Sequence, residues 1–281
     1  MSRAILRGAA LALAFAMLAA APVASAQQFK PYVGQQGKDV VWVPTPDEVV
    51  ERMLNMAQTK PEDYVIDLGA GDGKIAITAA KKFGARALGI EYNPEMVTHA
   101  QSNARAAGVL GKAQIVHGDI FVTDFTQATV LTMYLLPSLN MKLRPQILAM
   151  RPGTRVVAHA FNMEDWEPDE TSDVDGRRAF LWIVPASVNG RWAMELSGGG
   201  SSEKLSLSLD QKFQKIEGVA YLGPVQAGLR EPRLSGFRIS FTYVDNKSVR
   251  RDFTGRVTGN SMEGSFRTES GQEGRWSATK K

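Results

Sequence analysis

The 281-residue sequence contains no cysteine. This absence excludes disulfide bonds and a lipid anchor attached to cysteine, so the fold must be stabilised by burial of its core. A long hydrophobic run is also missing near the N-terminus, where the apolar stretch from Ala9 to Val23 is shorter than the ~20 residues of a membrane span. The formal net charge is only +4. Such a balance is poor evidence for a nucleic-acid partner.

The first 26 residues have the pattern of a secretory signal peptide. Arg3 and Arg7 form a basic start, the apolar stretch follows, and Ala24-Ser25-Ala26 supplies the small residues of a cleavage site. We expect cleavage after Ala26 and a periplasmic or secreted mature protein with no membrane span. The alternative is an uncleaved membrane anchor, which the short apolar stretch disfavours. Without Arg3 and Arg7 the chain retains 31 basic and 29 acidic side chains, a net charge of +2.

Residues 27–185 alternate short apolar runs with segments of helical periodicity. The predicted strands are residues 64–68, 87–91, 114–118, 129–135, 155–161 and 178–184. Helical segments between strands are typical of βαβ units, so this region is predicted to be a Rossmann-like α/β domain with a parallel sheet. Thr45 and Asn93, each followed by proline, predict the N-caps of two helices. The pair Asp175-Gly176 predicts a hairpin that adds an antiparallel last strand.

Residues 186–281 lack helical periodicity. Apolar and polar residues alternate in "KLSLSL" (204–209) and "GFRISFTYV" (236–244), and turn-rich breaks separate such segments. The pattern predicts an all-β domain of six or seven short antiparallel strands. Its first and last strands share the tripeptide Gly-Arg-Trp, at 190–192 and 274–276. If these strands meet, the sheet closes into a small barrel; an open sandwich is the alternative.

The glycine turn Gly69-Ala70-Gly71-Asp72-Gly73 follows the first predicted strand and precedes a helix. A phosphate-binding P-loop is excluded because Ile75 follows Gly73-Lys74 where serine or threonine is required. A dinucleotide fingerprint fits poorly, since the third glycine comes one position early. Asp67 ends the strand before the turn and would repel a pyrophosphate. It favours a cationic ligand, and S-adenosylmethionine presents both an ammonium and a sulfonium group.

Two further acids follow the next two strands. Glu91 ends the second strand, where a carboxylate can accept hydrogen bonds from both ribose hydroxyls of an adenosine. Asp119 follows the third strand and can accept from the adenine amino group, with Ile120 or Phe121 against the ring. A single acid after a strand is usually a helix cap or turn former. Three of them at successive strand ends indicate a ligand site at the carboxyl edge of the sheet.

These segments resemble a known family. "VIDLGAGDGK" (65–74), "GIEYNP" (89–94) and "HGDIF" (117–121) look like motifs I, post-I and II of the class I, seven-β-strand S-adenosylmethionine-dependent methyltransferases. The resemblance covers roughly residues 40–185 and implies that family's reversed last strand. "VPTPDEVVERML" (43–54) and "YLLP" (134–137) resemble more narrowly the protein-lysine methyltransferases of the mitochondrial adenine nucleotide translocase and ATP synthase c-subunit, and their bacterial relatives.

The resemblance also implies roles for individual residues. The implied cofactor contacts are Asp67, Gly69, Gly71, Gly73, Glu91 and Asp119, with Thr45 near the methionine end of S-adenosylmethionine. Residues 186–281 lie outside the resemblance. The resemblance implies an N-methyltransferase with a protein acceptor, most simply a lysine side chain.

The acceptor is expected at the end of the fourth strand. The sequence there is Tyr134-Leu135-Leu136-Pro137 rather than the Asn-Pro-Pro-Tyr/Phe of enzymes that methylate base amino groups, so nucleic acid is not an expected substrate. Tyr134 is predicted to line the acceptor channel, or else to be core. His159 is a candidate proton relay, with a structural histidine as the alternative. No His, Asp or Glu cluster has metal-ligand spacing, so no metal is expected.

Two other segments have open interpretations. Trp42 either closes over the cofactor or packs only against the first helix. The acidic segment 161–175, which contains Trp166, either docks a basic substrate or is a solvated loop. The leading hypothesis is a methyltransferase. An exported protein that binds an adenosine-type ligand without catalysis is the alternative, and the glycine spacing and Asp67 disfavour a nicotinamide oxidoreductase. The sequence does not indicate an oligomeric state.

Overall fold

The computed structural model describes residues 29–198 and 201–281, and the predicted signal peptide lies outside this range. Within it, residues 64–183 form a sheet of seven strands. They are β1 (Tyr64–Leu68), β2 (Arg86–Glu91), β3 (Ala113–His117), β4 (Val130–Met133), β5 (Arg155–His159), β6 (Glu170–Val174) and β7 (Arg177–Ile183). Their order is β3-β2-β1-β4-β5-β7-β6. The strands β1 to β5 run parallel, whereas β7 is antiparallel to both neighbours. The predicted strands and reversed hairpin are therefore confirmed.

Four helices in the described residues accompany this sheet. They are α1 (Asp47–Met56), α2 (Lys74–Phe83), α3 (Pro94–Ala106) and α4 (Pro137–Leu148). Asn93 caps α3 as predicted, because its side chain accepts hydrogen bonds from the Glu95 and Met96 amides. The predicted N-cap role of Thr45 is wrong. Pro46 occupies the cap position of α1, and the Thr45 hydroxyl is instead hydrogen-bonded to His159. None of the described helices is both long enough and apolar enough to span a bilayer.

A second sheet of nine antiparallel strands occupies the described residues from Gly190 onward. Its strands are β8 (Gly190–Gly198), β9 (Ser201–Lys212), β10 (Lys215–Leu222), β11 (Val225–Gly228), β12 (Arg230–Ser235), β13 (Arg238–Val244), β14 (Arg250–Thr258), β15 (Ser261–Thr268) and β16 (Glu273–Lys280). The expectation of six or seven strands is wrong, because β11 and β12 are short and lack strict alternation. The first and last strands do pair, so that Trp276 lies opposite Leu196. In the order β11-β10-β9-β8-β16-β15-β14-β13-β12 the strands β11 and β12 are the two edges. Contacts of β10 with β12 and of β11 with β13 bring these edges together, so the sheet is a nearly closed barrel.

The acidic segment, residues 161–175, packs against the second sheet. Trp166 is fully buried between Trp182 and Phe213, and its indole Nε1 donates to the Gln214 side chain at 3.0 Å. Acids beside it form ion pairs with the lysines that flank the turn between β9 and β10: Asp165 with Lys212 at 3.3 Å and Glu167 with Lys215 at 2.7 Å. These carboxylates are therefore already partnered by the second sheet. Neither sequence interpretation of the segment anticipated this contact.

Gln211 holds the connection between the sheets. Its side-chain oxygen accepts from the Val188 and Asn189 amides, and its nitrogen donates to the carbonyls of Ala186 and Phe213. One amide therefore satisfies four backbone groups of the linker and the β9–β10 turn. Because buried backbone groups are costly to leave unpaired, this arrangement fixes the linker to the barrel.

Candidate active site

A cavity of about 320 Å³ opens at the carboxyl edge of the first sheet. Loops that follow β1, β2, β3 and β4 form its floor, and residues 35–45 cover it from the other side. Open α/β sheets bind ligands at this edge, where the chain crossings diverge. The structure thus brings together in one cavity the acids predicted at the three strand ends, Asp67, Glu91 and Asp119.

Asp67 is the most buried of these acids, with 2% of its surface exposed. Within the described residues its carboxyl accepts a hydrogen bond from the Thr132 hydroxyl, at 2.7 Å, across the β1–β4 pairing. Burial raises the pKa of Asp67 to about 7, and the nearby carboxylates of Asp72 and Glu91 raise it further against the opposing Thr132 bond. A cationic ligand beside this carboxyl would lower its pKa, because the positive charge stabilises the ionised form.

The glycine turn supplies close backbone approach to the cavity. Gly69, Gly71 and Gly73 all have positive φ, at +77°, +54° and +81°, a region that side chains disfavour. Gly69 and Gly71 line the cavity. Gly73 does not: a Cβ there would lie 3.1 Å from the Cβ of Ala100, so this glycine lets α2 begin against α3. Its predicted direct contact with a cofactor has no support in this geometry.

Glu91 is half-buried and held by two backbone amides. Its Oε2 accepts from Gly71 and its Oε1 accepts from Asn93, both at 2.9 Å. The side chain therefore ties the glycine turn to the end of β2. Each carboxylate oxygen has a second lone pair, so Glu91 can still accept hydrogen bonds from a ligand in the cavity.

Asp119 has a partner that the sequence did not indicate. Its Oδ2 accepts from Lys38 Nζ at 2.6 Å, and its Oδ1 accepts from the Phe121 amide at 2.9 Å. The bond from Lys38 lowers the pKa of Asp119 below its usual range. Ile120 lines the cavity next to it, whereas Phe121 does not. An adenine amino group would share this carboxylate with Lys38 or displace it.

Lys38 belongs to a short hairpin, residues 34–42, which we call the strap. Backbone hydrogen bonds join Gly34 to Trp42, Trp42 to Gln35, and Gly37 to Val40. Trp42 lines the cavity and lies against the glycine turn, since a Cβ on Gly71 would be 2.6 Å from its Nε1. Of the two interpretations of Trp42, this position matches the one in which the indole closes over the cavity. Gly34 and Gly37 were the available sequence signal for the strap.

Aromatic residues form the end of the cavity near β4. Tyr134 lines it, with its ring centroid 4.0 Å from that of His159 and 6.3 Å from that of Phe161. His159 is only 4% exposed and does not line the cavity; its Nδ1 shares a hydrogen bond of 3.2 Å with Thr45 Oγ1. Burial, and secondarily the charge of Arg177, lowers the pKa of His159 to about 4.

These positions bear on the two candidate catalytic residues differently. Tyr134 is where an acceptor-lining residue is expected. His159 lies outside the cavity, against the Tyr134 ring and hydrogen-bonded to Thr45, and it stays neutral near pH 7. Its role as a proton relay stays a prediction, and such a relay would pass through Thr45 or Tyr134. Thr45 lines the cavity, as expected for a residue at the methionine end. The described residues contain no group of His, Asp and Glu arranged to hold a metal ion.

Comparison with known proteins places this geometry in context. Residues 67–170 match the model of the ANTKMT methyltransferase domain. The chain is 46% identical over 151 residues to a protein-lysine N-methyltransferase of Saccharolobus islandicus, covering 52% of this chain and 94% of the relative. It is 33% identical over 132 residues to the Mus musculus lysine N-methyltransferase of the ATP synthase c-subunit, covering 47% of this chain and 53% of the relative.

A solved structure agrees with these relatives in fold. It is described as an RNA methyltransferase from Salinibacter ruber in complex with S-adenosyl-L-homocysteine. The identity is 47% and the TM-score 0.51, over 52% of this chain and 96% of that one. The chain therefore spans almost all of two relatives and about half of the mouse protein.

Proposed function

Because this chain belongs to the class I S-adenosylmethionine-dependent methyltransferases, with S-adenosylmethionine as its cofactor, we propose that it methylates lysine side chains of a protein. The cofactor, when bound, supplies a methyl group activated by a sulfonium. The chain's own residues bind it, exclude water and receive the amine.

The cavity residues suit this cofactor one by one. Asp67 offers a buried carboxylate for the amino group, and Glu91 offers free lone pairs for the ribose hydroxyls. Ile120 and Asp119 suit the adenine ring and its amino group, with Gly69 and Gly71 allowing close approach. The complementary charge of the acids is the feature that carries the assignment of these roles.

The acceptor end supports an amine of aliphatic character. A lysine ammonium has a pKa of ~10.4 and must lose its proton before it attacks, and desolvation favours the neutral form. Tyr134, Phe161 and Leu136 provide apolar and aromatic surface at this end. The similar proteins are named for different acceptors: one is called a protein-lysine methyltransferase and another an RNA methyltransferase. The Tyr-Leu-Leu-Pro segment after β4 lacks the polar Asn-Pro-Pro pattern suited to base amino groups, which favours lysine.

Labelled S-adenosylmethionine tests this proposal directly. We expect the full chain to transfer label to protein in a cell extract, with peptide mass spectrometry locating it on lysine. Prior chemical blocking of the extract's lysines should abolish the transfer. Asp67→Asn should be inactive, while Glu95→Gln, an exposed change on α3 outside the cavity, should keep full activity. Label in RNA with none in protein would refute the lysine proposal. Cofactor binding without any transfer would favour the non-catalytic alternative.

A further inference from the structure

The outer face of the barrel carries a second concave surface, remote from the glycine turn. It is formed by two neighbouring rows of residues that cross six strands, from β8 to β12. One row, in order of strand pairing, is Ser197, Arg275, Ser265, Thr254, Ser240 and Arg233. The other row lies two residues away along each strand and includes Arg256 and Arg238. We call this surface the arginine groove; its volume is about 920 Å³.

The arginine groove is rich in cations that lack ionic partners. Arg233, Arg238, Arg256 and Arg275 are exposed, and within the described residues none lies within 4.0 Å of a carboxylate. The groove has two acids. Glu195 is paired with Lys204 at 3.2 Å, which leaves Glu263 as the single acid facing the four arginines. The other lining side chains are mostly serine and threonine, which are small hydrogen-bonding groups.

Two of these arginines stand directly opposite each other. Arg238 pairs in register with Arg256 across β13 and β14. Like charges in such a position destabilise a sheet. Their guanidinium carbons lie 5.8 Å and 4.0 Å from the centre of the Phe237 ring, whose face partly offsets the repulsion. An anion placed between the two guanidinium groups would be attracted to both and would offset their repulsion.

The shape and chemistry of the groove select among anionic partners. Its one aromatic lining residue, Trp276, is only 2% exposed, and the neighbouring Phe237 ring is already in contact with Arg256 and Arg238. Neither ring is therefore free for the base stacking that single-stranded nucleic acid uses. A flat membrane surface cannot enter a concave face that offers no apolar side chain for insertion. Arginine forks match carboxylates in bidentate geometry, and the hydroxyls can bond to a peptide backbone.

The length of the groove matches a short extended peptide. Arg275 on β16 and Arg233 on β12 are four strand intervals apart, which is about 19 Å at ~4.8 Å per interval. An extended chain of about six residues covers the same distance at ~3.3 Å per residue. We propose that the arginine groove binds an extended, glutamate- or aspartate-rich segment of a partner protein.

Fluorescence anisotropy with a labelled octaglutamate peptide tests this proposal on the full chain. We expect salt-sensitive binding that weakens at least tenfold in the double variant R238S/R256S. The matched control is R191S/R230S, which removes two exposed arginines outside the groove and should bind like the unmodified chain. Thermal melting checks folding, and loss of the Arg–Arg repulsion should leave the double variant at least as stable.

Three outcomes would overturn the proposal. They are absence of binding at low salt, equal binding by both double variants, and tighter binding of single-stranded RNA or anionic lipid vesicles than of the peptide through the same arginines. None of these results bears on cofactor binding or methyl transfer, which involve the other sheet. The proposed function and this inference therefore stand or fall separately.

Discussion

Asp67→Asn should inactivate the protein and yet stabilise it. The folded-state pKa of Asp67 is about 7, against 3.8 for an unperturbed aspartate. The folded state therefore holds this proton between those pH values, and the stability it confers is fully present below pH 3.8 and is lost as the pH rises towards 7. At pH 8 the buried charge costs up to about 4 kcal/mol, because the pKa rises from 3.8 to about 7 and each tenfold change in the ionisation equilibrium is worth ~1.4 kcal/mol. Asparagine retains the acceptor for Thr132 and carries no charge.

The assay is thermal or urea unfolding of the ligand-free protein at pH 8 and pH 4. We expect Asp67→Asn to raise the free energy of unfolding by about 2–4 kcal/mol at pH 8, a rise of roughly 5–10 °C in Tm, with no comparable gain at pH 4. Asp39→Asn, an exposed acid of the same cavity, serves as the control and should give no such gain.

Cofactor affinity provides the second measurement on this residue. Because the cationic ligand requires the ionised carboxylate, calorimetric titration with S-adenosylmethionine should show roughly eightfold weaker binding at pH 6 than at pH 7.5. Asp67→Asn should bind at least tenfold more weakly at pH 7.5 and lose this pH dependence. A variant that is less stable at pH 8, or that binds as well as the unmodified chain, would refute the electrostatic argument.

Three further predictions concern the turn, the second acid and the linker. Gly71→Ala should displace Trp42 and weaken cofactor binding at least tenfold in titration, whereas Gly108→Ala, which has a similar positive φ but open space around it, should leave binding unchanged. Glu91→Gln keeps only one of the two side-chain oxygens that accept from backbone amides. It should lower the Tm and also weaken cofactor binding by about 1–3 kcal/mol, so unaltered titration and melting curves would contradict the role of Glu91. Gln211→Ala should lower the free energy of unfolding by about 2–4 kcal/mol in urea titration. The cofactor affinity of the remaining folded protein should not change. A loss of stability below ~0.5 kcal/mol would argue against the role of Gln211 in holding the linker.

Local sequence patterns predicted most of the first sheet. The strands and the reversed hairpin were predictable from apolar runs and one Asp-Gly turn, because a strand buried on both faces of a sheet is a short apolar run whatever strand it pairs with. The acids at the strand ends were also readable, since parallel strands bring their carboxyl ends to one edge. The resemblance to a family supported the cofactor that the acids had suggested and added the roles of the glycines.

Side-chain contacts between distant parts of the chain could not be predicted from the sequence. Lys38 reaches Asp119 across 81 positions, and Trp166 meets Gln214 across 48. Thr45 has the residue type of an N-cap, yet His159 on β5 offers its hydroxyl a buried partner, and tertiary packing decides between them. Gly73 belongs to the motif but serves helix packing, which a motif cannot distinguish from ligand contact. The nine-strand barrel was underestimated because its shortest strands carry the weakest alternation.

The position of Trp42 gives the protein a built-in optical probe. Four of the five tryptophans, Trp166, Trp182, Trp192 and Trp276, are buried in the interior and should emit at constant, short wavelength. Trp42 alone is half-buried, above the glycine turn. Any wavelength shift or quenching that accompanies ligand addition in the folded protein therefore reports on movement or covering of the strap, without a label and in real time.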